Sequence, residues 1–388
     1  MPNHDLDSVL KSCSYYPTQL DLCRRVIWFA EIDRETYRRA GFLVPRHARM
    51  SEERYGFNLD DLLLHHLSLP IGGAPSHYVL ISAFCCSTLL ARLLDRVPAC
   101  LVLKEPGILG QLGMLRYRPK AVAPMPPTAP PAAPLLDKEE TKDRYDAAPQ
   151  PPADWEENWR TWATLGVRLL TRTFEPGQTV IVKAADVCNT MGDVILANDP
   201  RSKAVLLSVS LRTFILSVLK LDGRKKWTQR RANFWHNTLT LFPTLKEVSV
   251  PELDDARKAA YVWLVTAALW DRFRKQTDPE RLLILDGEEV SENPGRALRT
   301  VAAFFGLLLE ESRLEEILAD PVLSHHAKSP GRAYDAAARR SDIADSEARF
   351  GAEADRATEW AASIQEALES DGVDLSSMAG VECEELAS

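Results

Sequence analysis

The sequence predicts an α/β fold in three layers, a parallel sheet with helices on both faces. Three observations predict it. First, five short apolar runs stand at 78–84 (YVLISAF), 100–103 (CLVL), 179–183 (TVIVK), 203–209 (KAVLLSV) and 281–286 (RLLILD). Second, these runs are almost continuously apolar rather than alternating, as strands buried on both faces must be. Third, segments of helical periodicity separate them. Strand–helix–strand alternation builds a parallel sheet through right-handed crossovers.

Residues 7–70 are expected to be mainly helical. Leu20, Cys23, Val26 and Ile27 keep a helical spacing, and Leu59, Leu62 and Leu63 begin a second apolar face. Residues 1–75 therefore read as a helical N-terminal extension. Residues 71–77 (IGGAPSH) read as a loop. The first strand of the sheet then runs into a short polar element, Cys85–Thr88, and a helix with Leu89, Leu90, Leu93 and Leu94 on one side. The second strand ends at Lys104-Glu105-Pro106.

Residues 118–154 read as a proline-rich insertion, since ten of the 25 prolines lie within 119–152. Proline lacks the amide donor and blocks helix continuation, so a polyproline-rich surface segment is expected. A helix resumes near Trp155. The α/β domain spans 76–340. Beyond it, 341–388 hold an amphipathic helix over 343–370, through Phe350, Ala354, Ala357, Trp360, Ile364 and Leu368, and an acidic tail.

The chain of 388 residues is 45% hydrophobic and 26% charged, within the range of globular proteins, which excludes collagen-like and wholly disordered classes. Its net charge of −8 is unevenly distributed. Residues 342–388 carry thirteen acids against two bases, and 137–157 carry eight acids against three bases. The remaining body is basic, at +8. That distribution suits a small polyanionic ligand better than a nucleic acid, and no nucleic-acid partner is expected. The N-terminus shows no basic start followed by an apolar run, and no stretch approaches the length of a membrane span. Seven scattered cysteines form no CxxC pair, so neither a disulfide framework nor a metal site is expected. A cytoplasmic protein is the expectation.

The strand–turn–helix at 78–94 is the natural place for an anion, because helix-start amides are unpaired and the helix dipole there is positive. Ser87 and Thr88 add hydroxyl donors. The same Ser-Thr pair also reads as an ordinary N-cap. No Walker GxxxxGK[ST] is present. Basic residues crowd 201–231, where Arg201, Lys203, Arg212, Lys220, Arg224, Lys225, Lys226, Arg230 and Arg231 face one acid, Asp222. Lys104 and Lys183 end apolar strands, where ligands bind an open α/β sheet. Cys85–Cys86 invites a redox reading, but a vicinal pair does not easily form an unstrained disulfide and no base stands beside it in sequence, so small buried residues are the favoured reading. Trp227 and Trp235 read as packing residues or as stacking partners for a base.

The stretch Phe84-Cys85-Cys86-Ser87-Thr88-Leu89-Leu90, followed by ARLLDRVP, resembles the phosphosulfate-binding loop of the sulfotransferase family. In many bacterial members that loop reads R-S-G-[ST]-T-L-L. Lys104-Glu105-Pro106 looks like the Gly-Glu-Pro that often ends the family's second strand. Ser217 matches a serine of the family's 3′-phosphate site. The stretch 282–307 (LLILDGEEVSENPGRALRTVAAFFGL) is similar to the family's strand, acidic turn and F-x-G-L ending. The resemblance covers about 77–110 and 179–340. It implies a P-loop-type α/β fold and a sulfuryl transfer from 3′-phosphoadenosine 5′-phosphosulfate to an unidentified hydroxyl or amine, with no metal. Cys85, Cys86, Ser87 and Thr88 would then wrap the phosphosulfate. Ser217 would hold the 3′-phosphate, and Lys328 and Arg332, with Tyr334, would touch the 3′-phosphate or adenine.

The chain departs from the family pattern at four positions. Phe84 stands where the loop has its base and Cys86 where it has glycine. Val209 replaces the 3′-phosphate arginine and Leu211 the proline beside it. Arg212 is the expected substitute at the 3′-phosphate, and Lys104 or Lys183 at the phosphosulfate. Glu105 is the expected base for the acceptor proton, or the partner of a lysine in a plain ion pair. His77 lies at the start of its strand, the wrong end of the sheet for this role, and His325 and His326 lie in the segment with Lys328. Two other classes stay open: a catalytically degenerate P-loop protein acting as a nucleotide-binding or scaffold protein, and a kinase-like enzyme using ATP.

Overall fold

A computed structural model describes residues 6–44, 48, 50–65, 73–117, 154–320 and 336–376. Its central sheet has five strands, β4 (Ser76–Ile81), β5 (Cys100–Lys104), β6 (Thr179–Lys183), β7 (Ala204–Ser208) and β8 (Leu282–Asp286). They lie in the order β5-β6-β4-β7-β8 and every pairing is parallel. All residues of β4 and β5 are buried, as strands covered on both faces require. The five apolar runs thus form one mixed α/β unit flanked by helices. From β4 the chain crosses to one side to make β5. After β6 it crosses back over β4 to make β7. This reversal leaves a crevice at the carboxyl end of β4, the usual ligand position in open α/β sheets.

The N-terminal segment differs from the helical expectation. Its described residues hold three short helices, α1 (Leu6–Lys11), α2 (Arg34–Arg39) and α3 (Leu59–His65), and a three-stranded antiparallel sheet. Its strands are β1 (Tyr15–Asp21), β2 (Val26–Glu31) and β3 (Tyr55–Asn58). The helical spacing of Leu20 and Ile27 arises from a hairpin, which places them directly opposite each other. Arg25 closes the turn in the left-handed region at φ 52°. The content of β2, VIWFAE, suits a pleated half-buried surface. This unit is welded to the α/β body. The buried Arg172 guanidinium donates to the carbonyls of Ser12 at 2.8 Å and Tyr15 at 2.6 Å.

Several helices position the crevice. After β4 comes α4 (Ser87–Leu94), and after β5 comes α5 (Gly107–Leu115). Next are α6 (Trp155–Leu170), α7 (Gly192–Ala197), α8 (Leu211–Leu219), α9 (Asp222–Thr238), α10 (Pro243–Glu247) and α11 (Asp255–Lys275). The last are α12 (Gly287–Glu292), α13 (Pro294–Phe305), α14 (Glu311–Leu318) and α15 (Ala336–Leu368). The expected C-terminal helix is therefore present and begins earlier than its apolar stripe. Ala354, Ala357 and Leu368 are buried, and Phe350, Trp360 and Ile364 pack at the margin. The proline-rich segment lies outside the described residues, apart from Asp154.

Candidate functional site

Between β4 and α4 the chain runs through Ser82 to Cys86. The first strand stops at Ile81, short of the expected Phe84, because Ala83 and Phe84 turn left-handed at φ 66° and 52°. Cys86, the N-cap of α4, is left-handed too, at φ 59°, and gives no side-chain cap. Each such residue costs on the order of 1–3 kcal/mol, so the surroundings must hold the loop in place. Part of the restraint comes from Gly287 at the start of α12, where an added Cβ would collide with the Cys85 carbonyl and meet the Ser208 carbonyl at 3.1 Å. Asn189 adds to it, donating to the Ile81 carbonyl at 2.9 Å while accepting from the Trp270 indole at 3.0 Å. Among the described residues, no backbone amide from Ala83 to Thr88 has a backbone acceptor. The Ser87 amide and hydroxyl also reach the Cys85 sulfur, and the remaining amides at the helix start form an anion-binding concavity.

The two cysteines of the loop are thiols. Burial pushes the Cys85 thiol up, and it pushes Cys86 up to about 11. Neither has the lowered pKa of a reactive thiolate, and all six cysteines among the described residues are free.

Charged groups meet below the loop. Lys183 ends β6 with its side chain 3% exposed, and its ammonium pairs with the Glu105 carboxylate. Glu105 is left-handed at φ 53°, and its amide donates to the Lys183 carbonyl at 2.7 Å. Asp186, just past β6, pairs with Arg231 of α9 at 2.7 Å. Burial raises the Asp186 carboxyl, against the pull of Arg231. The Arg231 guanidinium also lies 5.5 Å from the Trp227 ring centre.

Glu105, Lys183 and Asp186 line a cavity of about 290 Å³ together with Phe42, Phe84, Ser87 and Trp227. Phe42 and Val44 come from the N-terminal unit. The Tyr16 hydroxyl donates to the Leu43 carbonyl at 2.8 Å, and the Leu43 amide donates to the Lys104 carbonyl at 2.7 Å. Those bonds hold 42–44 over the end of β5.

The structure brings together Ser87, Glu105 and Lys183 of the expected site, with Cys85, Cys86 and Thr88 in or next to the loop. Lys104 points elsewhere. It is 2% exposed, and its ammonium donates to Asp95 at 2.9 Å, Tyr37 O at 3.0 Å and Arg38 O at 3.1 Å. It therefore fastens α2 to the sheet. Arg212 is turned to α15, donating to Asp355 at 2.6 Å and pairing with Glu347. Ser217 is buried within α8, and its carbonyl accepts from Arg224 at 2.7 Å. His77 lies at the opposite end of the sheet, stacked on Phe305 at 4.5 Å. Lys328, Arg332, Tyr334, His325 and His326 lie outside the described residues.

Sequence reading missed Asp186 and Phe42. Asp186 carried a signal, as an acid shortly after a strand end. Phe42 carried none, because only long-range packing brings it near the sheet. Arg224, noted as one base in a run, lies 4.7 Å from the Phe84 ring and so brings a cation to the loop. Among the described residues no group of three or more His, Cys, Asp or Glu is placed to hold a metal ion, and no helix is long and apolar enough to cross a membrane.

No family model and no curated protein matches the sequence. Among solved structures, the chain is similar to a sulfotransferase domain from the curacin biosynthetic pathway, at 14% identity and a TM-score of 0.35 over 64% of this chain and 79% of that one. A sulfotransferase domain from the Synechococcus PCC 7002 olefin synthase gives 14% identity and a TM-score of 0.33 over 72% of this chain and 95% of that one. A sulfotransferase from Mycobacterium tuberculosis gives 15% identity and a TM-score of 0.36 over 74% and 78%. Similarity at this level assigns neither a family nor an activity.

Proposed function

We propose that the chain binds 3′-phosphoadenosine 5′-phosphosulfate and transfers its sulfuryl group to a hydroxyl or amine. The observation that carries this reading is the run of amides from Ala83 to Thr88 without a backbone acceptor, on the cavity that the Lys183–Glu105 pair also lines. Amides and a helix dipole receive the phosphosulfate, and the Ser87 hydroxyl adds a donor. Lys183 stabilises charge on the transferred group. Glu105 takes the acceptor proton as the acceptor oxygen or nitrogen bonds to sulfur. The sulfur–oxygen bond to the phosphate breaks, and the nucleoside bisphosphate leaves with that oxygen. The sequence resemblance around Ser87, Thr88, Glu105 and 282–307 supports the same chemistry. The free thiols support a reducing, cytoplasmic setting.

A second reading has its own support. The loop carries no charged residue, Val209 offers none, and Arg212 is held by carboxylates of α15. A nucleotide-binding or scaffold protein without transfer activity fits those facts. Calorimetric titration with 3′-phosphoadenosine 5′-phosphate and with ATP separates the classes. Saturable binding of the first alone is expected. Binding of ATP alone would favour a kinase-like enzyme, and binding of neither would leave only the scaffold.

A further inference from the structure

The cavity at the loop has an uneven lining. Phe42, Phe84 and Trp227 supply three aromatic rings, and Val44, Ile81 and Ala83 add apolar surface. The Phe84 and Trp227 rings meet edge to face, with centres 5.1 Å apart. Phe84 does so from a left-handed backbone at φ 52°, a conformation that costs a bulky side chain more than glycine. The charged groups of the lining are already matched: Lys183 pairs with Glu105, and Asp186 with Arg231 at 2.7 Å. Each ring also has a cation of the protein against it. Lys183 lies 5.7 Å from the Phe42 ring centre, Arg224 4.7 Å from that of Phe84 and Arg231 5.5 Å from that of Trp227.

These facts narrow the occupant. An aromatic wall often receives a cation, but here three cations already stand at the rings, so a cationic amine is repelled. A sugar brings many hydroxyls, and most of them would lose water to rings and methyl groups that return no hydrogen bond. A neutral ring with one hydroxyl or amino group buries its apolar part and keeps its single polar group for the Glu105 carboxylate. The size agrees. An apolar cavity of about 150 Å³ holds one benzene, so about 290 Å³ takes a substituted ring and the group being transferred. We infer that the acceptor is a neutral aryl alcohol or aryl amine, and that Phe42, brought in by the N-terminal unit, sets this preference together with Phe84 and Trp227. The α/β body supplies the loop and the charged pair, and the N-terminal unit supplies selectivity. The inference deepens the transfer reading and rests on it for the fate of the bound ring, while ring binding itself is testable without a donor.

The test titrates the full chain by calorimetry with 4-ethylphenol, 4-ethylcyclohexanol and glucose, and separately with 3′-phosphoadenosine 5′-phosphate. Wild type is expected to bind 4-ethylphenol saturably, about threefold to tenfold more tightly than 4-ethylcyclohexanol, and to ignore glucose. Phe42→Leu keeps an apolar wall and removes the ring. It should weaken 4-ethylphenol by about threefold and leave 4-ethylcyclohexanol within about twofold. Phe42→Ala should weaken both by about tenfold, and Phe42→Leu carries the comparison should the alanine variant not fold. Neither variant should shift the affinity for 3′-phosphoadenosine 5′-phosphate by more than about twofold. Wild type that ignores 4-ethylphenol, or that holds 4-ethylcyclohexanol or glucose as tightly, would overturn the inference. So would Phe42→Leu with the wild-type preference, or a Phe42 variant that loses the nucleotide instead, since the ring would then serve the base. Binding of 4-ethylphenol with the expected preference and no nucleotide binding would overturn the transfer reading alone.

Discussion

Arg212 donates to Asp355 at 2.6 Å, which ties the first turn of the largely apolar helix α8 to the acidic helix α15. Glu347 takes the other face of the same guanidinium. The acidic C-terminal segment and the basic body are therefore two halves of one electrostatic contact. Arg212 is 37% exposed in these pairs, so Arg212→Ala should cost less than about 1 kcal/mol of stability. Affinity for 3′-phosphoadenosine 5′-phosphate should change by less than about threefold, roughly 0.6 kcal/mol. A tenfold loss by calorimetry would show that Arg212 leaves its carboxylates for the ligand.

Lys104 and Asp95 form a pair of another kind, with side chains 2% and 8% exposed. Burial pulls the lysine down and pushes the aspartate up, each opposed by its partner. Removing one member of such a pair strands the other. Lys104→Met is expected to destabilise by about 3–5 kcal/mol, and Lys104→Met with Asp95→Asn by much less. Urea denaturation of both variants measures the difference. Nucleotide affinity of the folded double variant should stay at the wild-type value, because Lys104 does not line the cavity.

Glu105→Gln tests the proposed base. It keeps the size and one acceptor of the side chain and removes the proton-accepting charge. Turnover should fall by about two to four decades, with nucleotide affinity nearly unchanged. The measurement is release of 3′-phosphoadenosine 5′-phosphate from the donor in the presence of simple alcohols and amines. Equal turnover would assign Glu105 to the ion pair with Lys183 and to nothing more.

His77 gives a pH dependence away from the site. Burial, aided by Lys203, lowers its imidazole to about 4, and it accepts from the Lys203 amide at 3.2 Å. The unfolded chain, near 6.5, binds the proton more readily than the folded one. The contribution is fully present above 6.5 and is lost as pH falls toward 4, on the order of 3 kcal/mol in all. His77→Phe should flatten that part of the acid limb in denaturation curves collected between pH 7 and pH 4. An unchanged slope would show that other groups carry it.

The sequence by itself determined the central sheet, since continuous apolar runs such as YVLISAF and TVIVK have no stable place except strands covered on both faces. It also marked Ser87, Glu105 and Lys183, because residues at strand ends and helix starts are placed by local chain direction. Hydrophobic spacing alone misread β1 and β2, where Leu20 and Ile27 are partners across a hairpin rather than neighbours on a helix. Only the tertiary structure decided which cations serve the site. Lys104 and Lys183 end adjacent strands side by side, yet one is sealed against Asp95 and the other reaches the cavity. Arg212 and Glu347 lie 135 residues apart in sequence, and the packing of α15 on α8 turns the arginine to the carboxylates of that helix. Charge pairing depends on which elements pack together, and that is set by long-range burial that no local pattern of residues records.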